Sequence, residues 1–299
     1  GKVVIAAAVY IEIIFQCLDF LDWDMSLGIE DFEILAPCLF EDDEPRICQT
    51  VLNVHADVTR VEISTRRAVQ NTPWTRHVIA SIGSAKGQIG TPSVPELSEN
   101  AVAVNGDQYY ASMRQRSMIY GLSFRKIERA RYTDSHTHAF LGNWSNEHPF
   151  RMESTLIDAG FQALTMSASL DRRLWLPTGT AEIVRGQILQ GPRDPLTVKA
   201  SVTERQPGIV HGEFSISDAG GSILLSVRGA VLQPLGQIGT SMPLKYLREH
   251  WQPTSLPKSE EPLRSSVVLI QNQEILENGT VPPHQKLIRA RSGSHFEEI

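Results

Sequence analysis

The sequence predicts an α+β fold of two similar subdomains, each a long buried helix followed by a run of antiparallel strands. Three observations carry this. Two long apolar segments, Ile5–Leu21 and Glu153–Leu170, stand one in each half of the chain. Each is followed by shorter segments with strand character. Between the halves, Ser84–Asn105 has several Gly or Pro breaks, scattered Ser and no sustained periodicity, and reads as a linker.

The elements follow in order. Val3–Phe15 is apolar enough for a signal or membrane segment to be weighed. Its basic flank is Lys2 alone, no small-residue cleavage site follows, and Glu12, Gln16, Asp19 and Asp22 interrupt it before a membrane-spanning length. Ile5–Leu21 is therefore read as a nearly all-round buried helix, and no membrane contact is expected. Ile29–Phe40 reads as a strand and Glu41–Pro45 as a turn. Leu52, Val54, Ala56 and Val58 alternate with polar residues, and the alternation resumes out of phase at Val61 and Ile63. A bulge or short turn is expected near Asp57–Thr59. Trp74–Ile82 is a further strand.

The second half repeats the order. Asp107–Met118 reads as a short helix and Leu122–Leu141 as one or two strands. In Glu153–Leu170 the apolar faces come from Leu156, Ile157, Phe161, Leu164 and Met166. Strands are expected at Leu174–Gln187, Leu196–Glu204, Ile209–Asp218 and Ser222–Leu232, the last two joined at Gly220-Gly221 by a tight hairpin. From Gly236 prolines punctuate the chain, and only Val267–Ile270 looks like a strand. The expected division is 1–83, a linker at 84–106, 107–235, and a tail at 236–299.

Composition bounds the function. The chain's 299 residues can bury a sizeable core, and 41% hydrophobic and 21% charged residues are ordinary for a globular protein. A net charge of −6 leaves no electrostatic footprint for nucleic acid. Cys17, Cys38 and Cys48 make an odd count without a Cys-x-x-Cys pair, which argues against a disulfide framework and a structural zinc site. A cytoplasmic location is the default expectation.

In the second long helix, Leu156-Ile157-Asp158-Ala159-Gly160-Phe161-Gln162 sets a carboxylate and, four residues on, a carboxamide in an apolar run. That spacing stacks Asp158 and Gln162 on one helix face. A carboxylate there is costly to bury unless it is hydrogen-bonded or used in chemistry. The alternative is an aspartate near the helix start favoured by the dipole. Spacing alone leaves both open.

Three motifs in order then resemble a known family. Gly1-Lys2-Val3-Val4-Ile5-Ala6-Ala7-Ala8-Val9-Tyr10 opens the first helix, Tyr120-Gly121-Leu122-Ser123-Phe124 lies mid-chain, and Asp158-x-x-x-Gln162 sits on the second helix. Together they look like the dehydratase domain of a modular type I polyketide synthase, over roughly residues 1–235. The family's first motif is His-x-x-x-Gly-x-x-x-x-Pro. Gly1 matches its glycine, Ala6 takes the proline position, and the histidine is expected four residues ahead of Gly1. In the second motif Tyr120, Gly121 and Phe124 match Tyr-Gly-Pro-x-Phe, with Leu122 in place of proline. His148-Pro149 matches the lead-in to the second helix, and Leu176-Pro177 resembles a later Leu-Pro.

The resemblance implies a double hot-dog fold, with two tandem hot-dog subdomains. It implies dehydration of a β-hydroxyacyl chain, presented on the phosphopantetheine of an acyl carrier protein, to the α,β-enoyl thioester, without a cofactor or metal of its own. Neighbouring synthase domains are expected partners, and a homodimer is compatible with the family. Asp158 and Gln162 are the expected catalytic residues. Gly1, Tyr120, Gly121, Phe124, His148 and Pro149 are expected to line the substrate site. The alternatives are a catalytically silent docking module, or the same fold performing double-bond isomerisation or oxa-cyclisation.

The chemistry explains the residue types. An α-proton must be removed and a hydroxide leaving group protonated. Histidine titrates near neutrality and suits the first task. A carboxyl group in an apolar pocket is pushed up in pKa and suits the second. A backbone N–H near Gly1 would stabilise charge on the thioester oxygen. His136 and His138 share one strand face but have no third ligand at a recognisable spacing. Ser123 and Cys17 show no base partner. Tyr246–Pro253 and Val267–Ile270 look like the junction to a following ketoreductase-type domain.

Overall fold

A computed structural model describes residues 3–21, 23–24, 26–40, 46–54, 58–67, 72–84, 95–142, 153–168, 173–186 and 195–234, and the backbone of four short strands beyond them. The first half runs β1 (Val3–Val4), α1 (Ala7–Phe20), β2 (Leu27–Ile34), β3 (Leu39–Phe40), β4 (Arg46–Val54), β5 (Thr59–Arg67) and β6 (Thr75–Ser84). The second runs β7 (Val102–Asn105), α2 (Gly106–Gln115), β8 (Met118–Ile119), a 3-10 turn at Leu122–Phe124, β9 (Ile127–Tyr132), β10 (His136–Leu141) and α3 (Ser154–Ala168). It continues with β11 (Trp175–Arg185), β12 (Leu196–Gln206), β13 (Ile209–Ser217) and β14 (Ile223–Pro234). β15 (Leu244–Lys245), β16 (Ser266–Gln271), β17 (Gln285–Arg291) and β18 (His295–Glu298) follow.

The two halves share one sheet. Its 14 strands run β18-β17-β16-β4-β5-β6-β2-β11-β14-β13-β12-β10-β9-β7, and the junction is the antiparallel β2–β11 pair, with Ile29 opposite Ile183 and Phe32 opposite Thr180. α1 and α3 pack on each other, and their side chains join those of both strand sets in one contiguous apolar core. This is the double hot-dog arrangement. Arg185 on β11 reaches across the junction, 2.6 Å from Asp19 at the end of α1 and 4.4 Å over the Phe15 ring.

Helix ends leave unpaired N–H groups, and the starts of α2 and α3 meet them with side chains. α1 begins at Ala6 with no side-chain cap. α2 carries a capping box, Asn105 accepting from Gln108 N at 2.9 Å and Gln108 returning the bond at 3.0 Å. The start of α3 is served by Glu12 of α1, whose carboxylate accepts from Ser154 N at 2.9 Å. That places a negative charge at the positive end of the α3 dipole. All of α3 is buried except Thr155 and Thr165.

The structure corrects several expectations. Ile29–Phe40 is two strands, because Pro37 lacks an N–H to continue a ladder. β3 leaves the large sheet to pair with β1. Of the bulge or short turn expected near residue 58, the short turn is borne out: β4 and β5 are antiparallel, with Val54 opposite Thr59 and Leu52 opposite Val61. The end of the stretch read as a linker is the strand β7, paired with β9. The Gly220-Gly221 turn forms as expected. Ser222 N donates to Asp218 Oδ1 at 2.8 Å, and Gly221 sits at φ +82°, a conformation glycine adopts without steric cost. Val267–Ile270 lies in β16, whose backbone pairs antiparallel with β4 of the large sheet. Glu41–Pro45 lies outside the described residues, and among those described no helix is long and apolar enough to cross a membrane.

Candidate active site

The site is built on α3. Asp158 and Gln162 are both buried, at 4% and 2% exposure, and one turn apart. Gln162 Nε2 donates to Asp158 Oδ2 at 2.7 Å and to the Phe124 carbonyl at 3.0 Å. The Gln162 carbonyl oxygen accepts from the Tyr110 hydroxyl at 3.0 Å, and that hydroxyl accepts from Ile127 N at 3.0 Å. A polar chain therefore runs from the backbone of β9, through α2, to the carboxyl group of α3. Buried polar groups need such partners, since an unpaired one costs its full desolvation penalty.

Burial pushes the Asp158 carboxyl up to about 7, against the opposing pull of the Gln162 hydrogen bond. An acid so placed carries its proton close to neutral pH. Stability follows from the same shift. Between the ordinary carboxyl value of 3.8 and about 7, the folded chain holds a proton that the unfolded chain has released. Stability should therefore fall as pH rises through that window, by up to about 1.4 kcal/mol per pH unit, and level off above it. Asp158→Asn lacks this dependence. Urea unfolding of both proteins from pH 4 to pH 8 should show the variant gaining on the wild type as pH rises, and parallel curves would contradict the shift.

Of the residues the sequence singles out, four meet here. Phe124 contributes its carbonyl, and its side chain is buried. Tyr120 stacks edge-on against Tyr110 at 5.6 Å, and its carbonyl accepts from Arg125 Nε at 3.1 Å. Phe124 meets Gln162 directly and Tyr120 joins through Tyr110, with Asp158 and Gln162 at the centre. Gly121 starts the 3-10 turn, its carbonyl accepting from Phe124 N at 3.0 Å. Gly1, His148 and Pro149 lie outside the described residues. Two residues that matter gave no motif. Tyr110 is one of a pair of adjacent tyrosines, and only a buried phenol's need for a partner hinted at it. Glu12 read as an interruption in an apolar run.

Other candidates are accounted for locally. His77 has both ring nitrogens engaged, Nδ1 with the Ala36 carbonyl at 2.9 Å and Nε2 with Thr65 Oγ1 at 2.8 Å. Burial lifts the Cys17 thiol far from thiolate chemistry. His136 and His138 share the face of β10 opposite Thr137, which meets Ser167 of α3 at 2.6 Å. His138 lies in a cleft of about 900 Å³ on that outer face, beside Arg129, Arg131 and Lys199. Burial, with Lys199 and Arg131 beside it, holds its pKa down, and cations around the cleft disfavour a metal ion. Among the described residues no group of three or more His, Cys, Asp or Glu could hold one.

Comparison with known proteins gives a consistent picture. A search of curated protein sequences finds no match. Among solved structures, an inactive mutant of the CurJ dehydratase in complex with a compound is similar at 16% identity and a TM-score of 0.67, over 78% of this chain and 83% of that one. An inactive aspartate-to-asparagine mutant of the CurK dehydratase is similar at 16% and 0.66, over 79% and 86%. The dehydratase domain of PpsC from Mycobacterium tuberculosis, in complex with C12:1-CoA, is similar at 19% and 0.60, over 78% and 85%. At these identities the likeness is one of fold. The family model for the polyketide synthase dehydratase N-terminal domain matches residues 90–241, just over half of the chain and the whole stretch from β7 to β14. With the Asp158–Gln162 pair inside that match, the chain belongs to the polyketide synthase dehydratase family.

Proposed function

We propose that this chain removes water from a β-hydroxyacyl thioester held on the phosphopantetheine of an acyl carrier protein, with Asp158 as the general acid. The observation that carries the reading is a fully buried carboxyl group, lifted to about 7 and oriented by Gln162. In the reaction the α C–H bond breaks and its electron pair forms the C=C bond. The β C–O bond breaks, and the hydroxide leaves with the proton of Asp158 as water. The base is assigned to the histidine that the family motif sets four residues before the glycine matched by Gly1. A positioned acid of this kind contributes about 10²–10⁴-fold in rate. The CurK dehydratase is described as inactive both as an aspartate-to-asparagine and as a histidine-to-phenylalanine mutant, which fits a pair of this kind. No cofactor takes part, and the carrier protein, the adjoining synthase domains and a second copy of the chain are the proposed partners.

The two departures from the family motifs leave this chemistry intact. Ala6 sits at φ −67°, ψ 148°, the backbone a proline would also adopt, so its change removes rigidity but no reacting group. Leu122 opens the 3-10 turn with 83% of its surface exposed. Neither favours a silent docking module. The test uses a longer form of the chain that reaches at least four residues ahead of Gly1. With a β-hydroxyacyl-pantetheine substrate, mass spectrometry should detect a product lighter by one water. Isomerisation or ring closure would be read from an enoyl-pantetheine supplied directly, since the β-hydroxyacyl substrate has no double bond to shift, and no loss of water from the β-hydroxyacyl substrate would overturn the reading.

A further inference from the structure

We propose that Tyr110 is a positioning residue for Asp158: its hydroxyl fixes the Gln162 amide in one orientation, which leaves Oδ1 of Asp158 as the oxygen that carries the acid proton. The inference rests on the reading of Asp158 as the acid and adds a residue that the family motifs do not contain.

The geometry allows one arrangement of protons. The Tyr110 hydroxyl accepts from Ile127 N at 3.0 Å, so its own proton must go to a carbonyl oxygen. Gln162 Oε1 lies at 3.0 Å and the Phe124 carbonyl at 3.4 Å, which favours the glutamine. The other end of the amide lies 3.0 Å from the Phe124 carbonyl and 2.7 Å from Asp158 Oδ2. Turned over, the amide would set its oxygen against that carbonyl with no proton between them, and would lose the tyrosine donor. Tyr110 therefore holds the N–H end on Asp158. Because Oδ2 already receives that N–H, a neutral Asp158 carries its proton on Oδ1.

The tyrosines around Asp158 stay neutral where Asp158 titrates. Tyr109 and Tyr110 approach from α2, and burial raises both phenols far above neutrality. Tyr120 stacks on Tyr110, and the Arg125 guanidinium stands 5.8 Å over the Tyr110 ring. Glu12 of α1 lies at the start of α3. Of Asp158, Tyr109 and Tyr110, Asp158 is thus the group that changes charge near pH 7. Its hydrogen bond from Gln162 favours the ionised form. Without the tyrosine hydroxyl the amide oxygen loses its donor and the amide is held less firmly, so the bond to Asp158 weakens and Asp158 should hold its proton to higher pH.

The test is a carboxyl carbon NMR titration of Asp158, assigned by its disappearance in Asp158→Asn, in four proteins: wild type, Tyr110→Phe, Gln162→Leu and the double variant. Tyr110→Phe is expected to raise the midpoint by about half a pH unit or more, the scale of one hydrogen bond. Gln162→Leu should raise it at least as far. The double variant should go no further than Gln162→Leu, because Tyr110 acts through Gln162. An unmoved midpoint in Tyr110→Phe, or shifts that add in the double variant, would overturn the proposal. Should Tyr110→Phe fail to fold, a single ring fluorine on Tyr110 makes its hydroxyl a stronger donor while keeping the packing. The midpoint should then fall, and an unchanged one would refute the idea equally. The titration reads proton affinity and not turnover. It can therefore fail while dehydration is observed, and succeed in a chain that dehydrates nothing.

Discussion

Asp158→Asn should lower dehydration by about 10²–10⁴-fold, the range a positioned general acid contributes, with the fold intact. Asparagine has nearly the same shape and can still accept a hydrogen bond from Gln162 Nε2, now 2.7 Å from the carboxylate. What it cannot do is release a proton to a departing hydroxide. The variant also removes a group that is costly to bury once ionised, so above about pH 7 it should be at least as stable as the wild type. Lost turnover with retained or improved stability separates chemistry from folding. Mass spectrometry of the enoyl product at pH 7, beside an unfolding curve of the same sample, reads both. Equal activity in the two proteins would remove Asp158 from the role of acid.

Gly160→Ala should destabilise the chain by about 1–3 kcal/mol, the usual cost of overpacking a core. On helix propensity alone the same change would stabilise by about 1 kcal/mol, since glycine is a poor helix former. The sign is reversed by Phe214 of β13. A Cβ on Gly160 would stand 2.0 Å from Phe214 Cε2 and 2.5 Å from its Cδ2. That ring is fully buried and packed edge-on against Phe161 at 5.0 Å, so it has no free space to turn into. The glycine lets α3 lie close on the sheet, midway between the two site residues. Urea midpoints measure the change. Phe214→Leu in the Gly160→Ala background should recover part of the loss, and a more stable Gly160→Ala would contradict the packing argument.

The legibility of the fold follows from how local each signal is. α1 and α3 were visible because apolar residues recur along one continuous segment, and β4 to β6 and β11 to β14 because side chains alternate in and out of a buried face. β3 and β7 were harder. One is cut off by Pro37, and the other is a four-residue edge strand, mostly exposed, in a stretch otherwise rich in turn residues. Asp158 in an apolar run of the second long helix was legible as a question, and the family resemblance points its answer towards chemistry. The Tyr-Gly-x-x-Phe element was legible as a motif, but the structure uses Phe124 through its backbone carbonyl, which no side-chain pattern encodes.

By itself, then, the sequence determined the two long helices, the strand runs after them, the Gly220-Gly221 hairpin and the identity of the buried acid. Each of these rests on residues within a turn or a strand of one another. Only the tertiary structure decided how that acid is held. The Tyr110–Gln162 bond joins positions 52 residues apart, and the Glu12–Ser154 bond joins positions 142 apart. Periodicity carries no information over such distances. Whether a carboxyl group keeps its proton depends on what excludes water from it, and that is settled when α1, α2, α3 and the sheet close around Asp158.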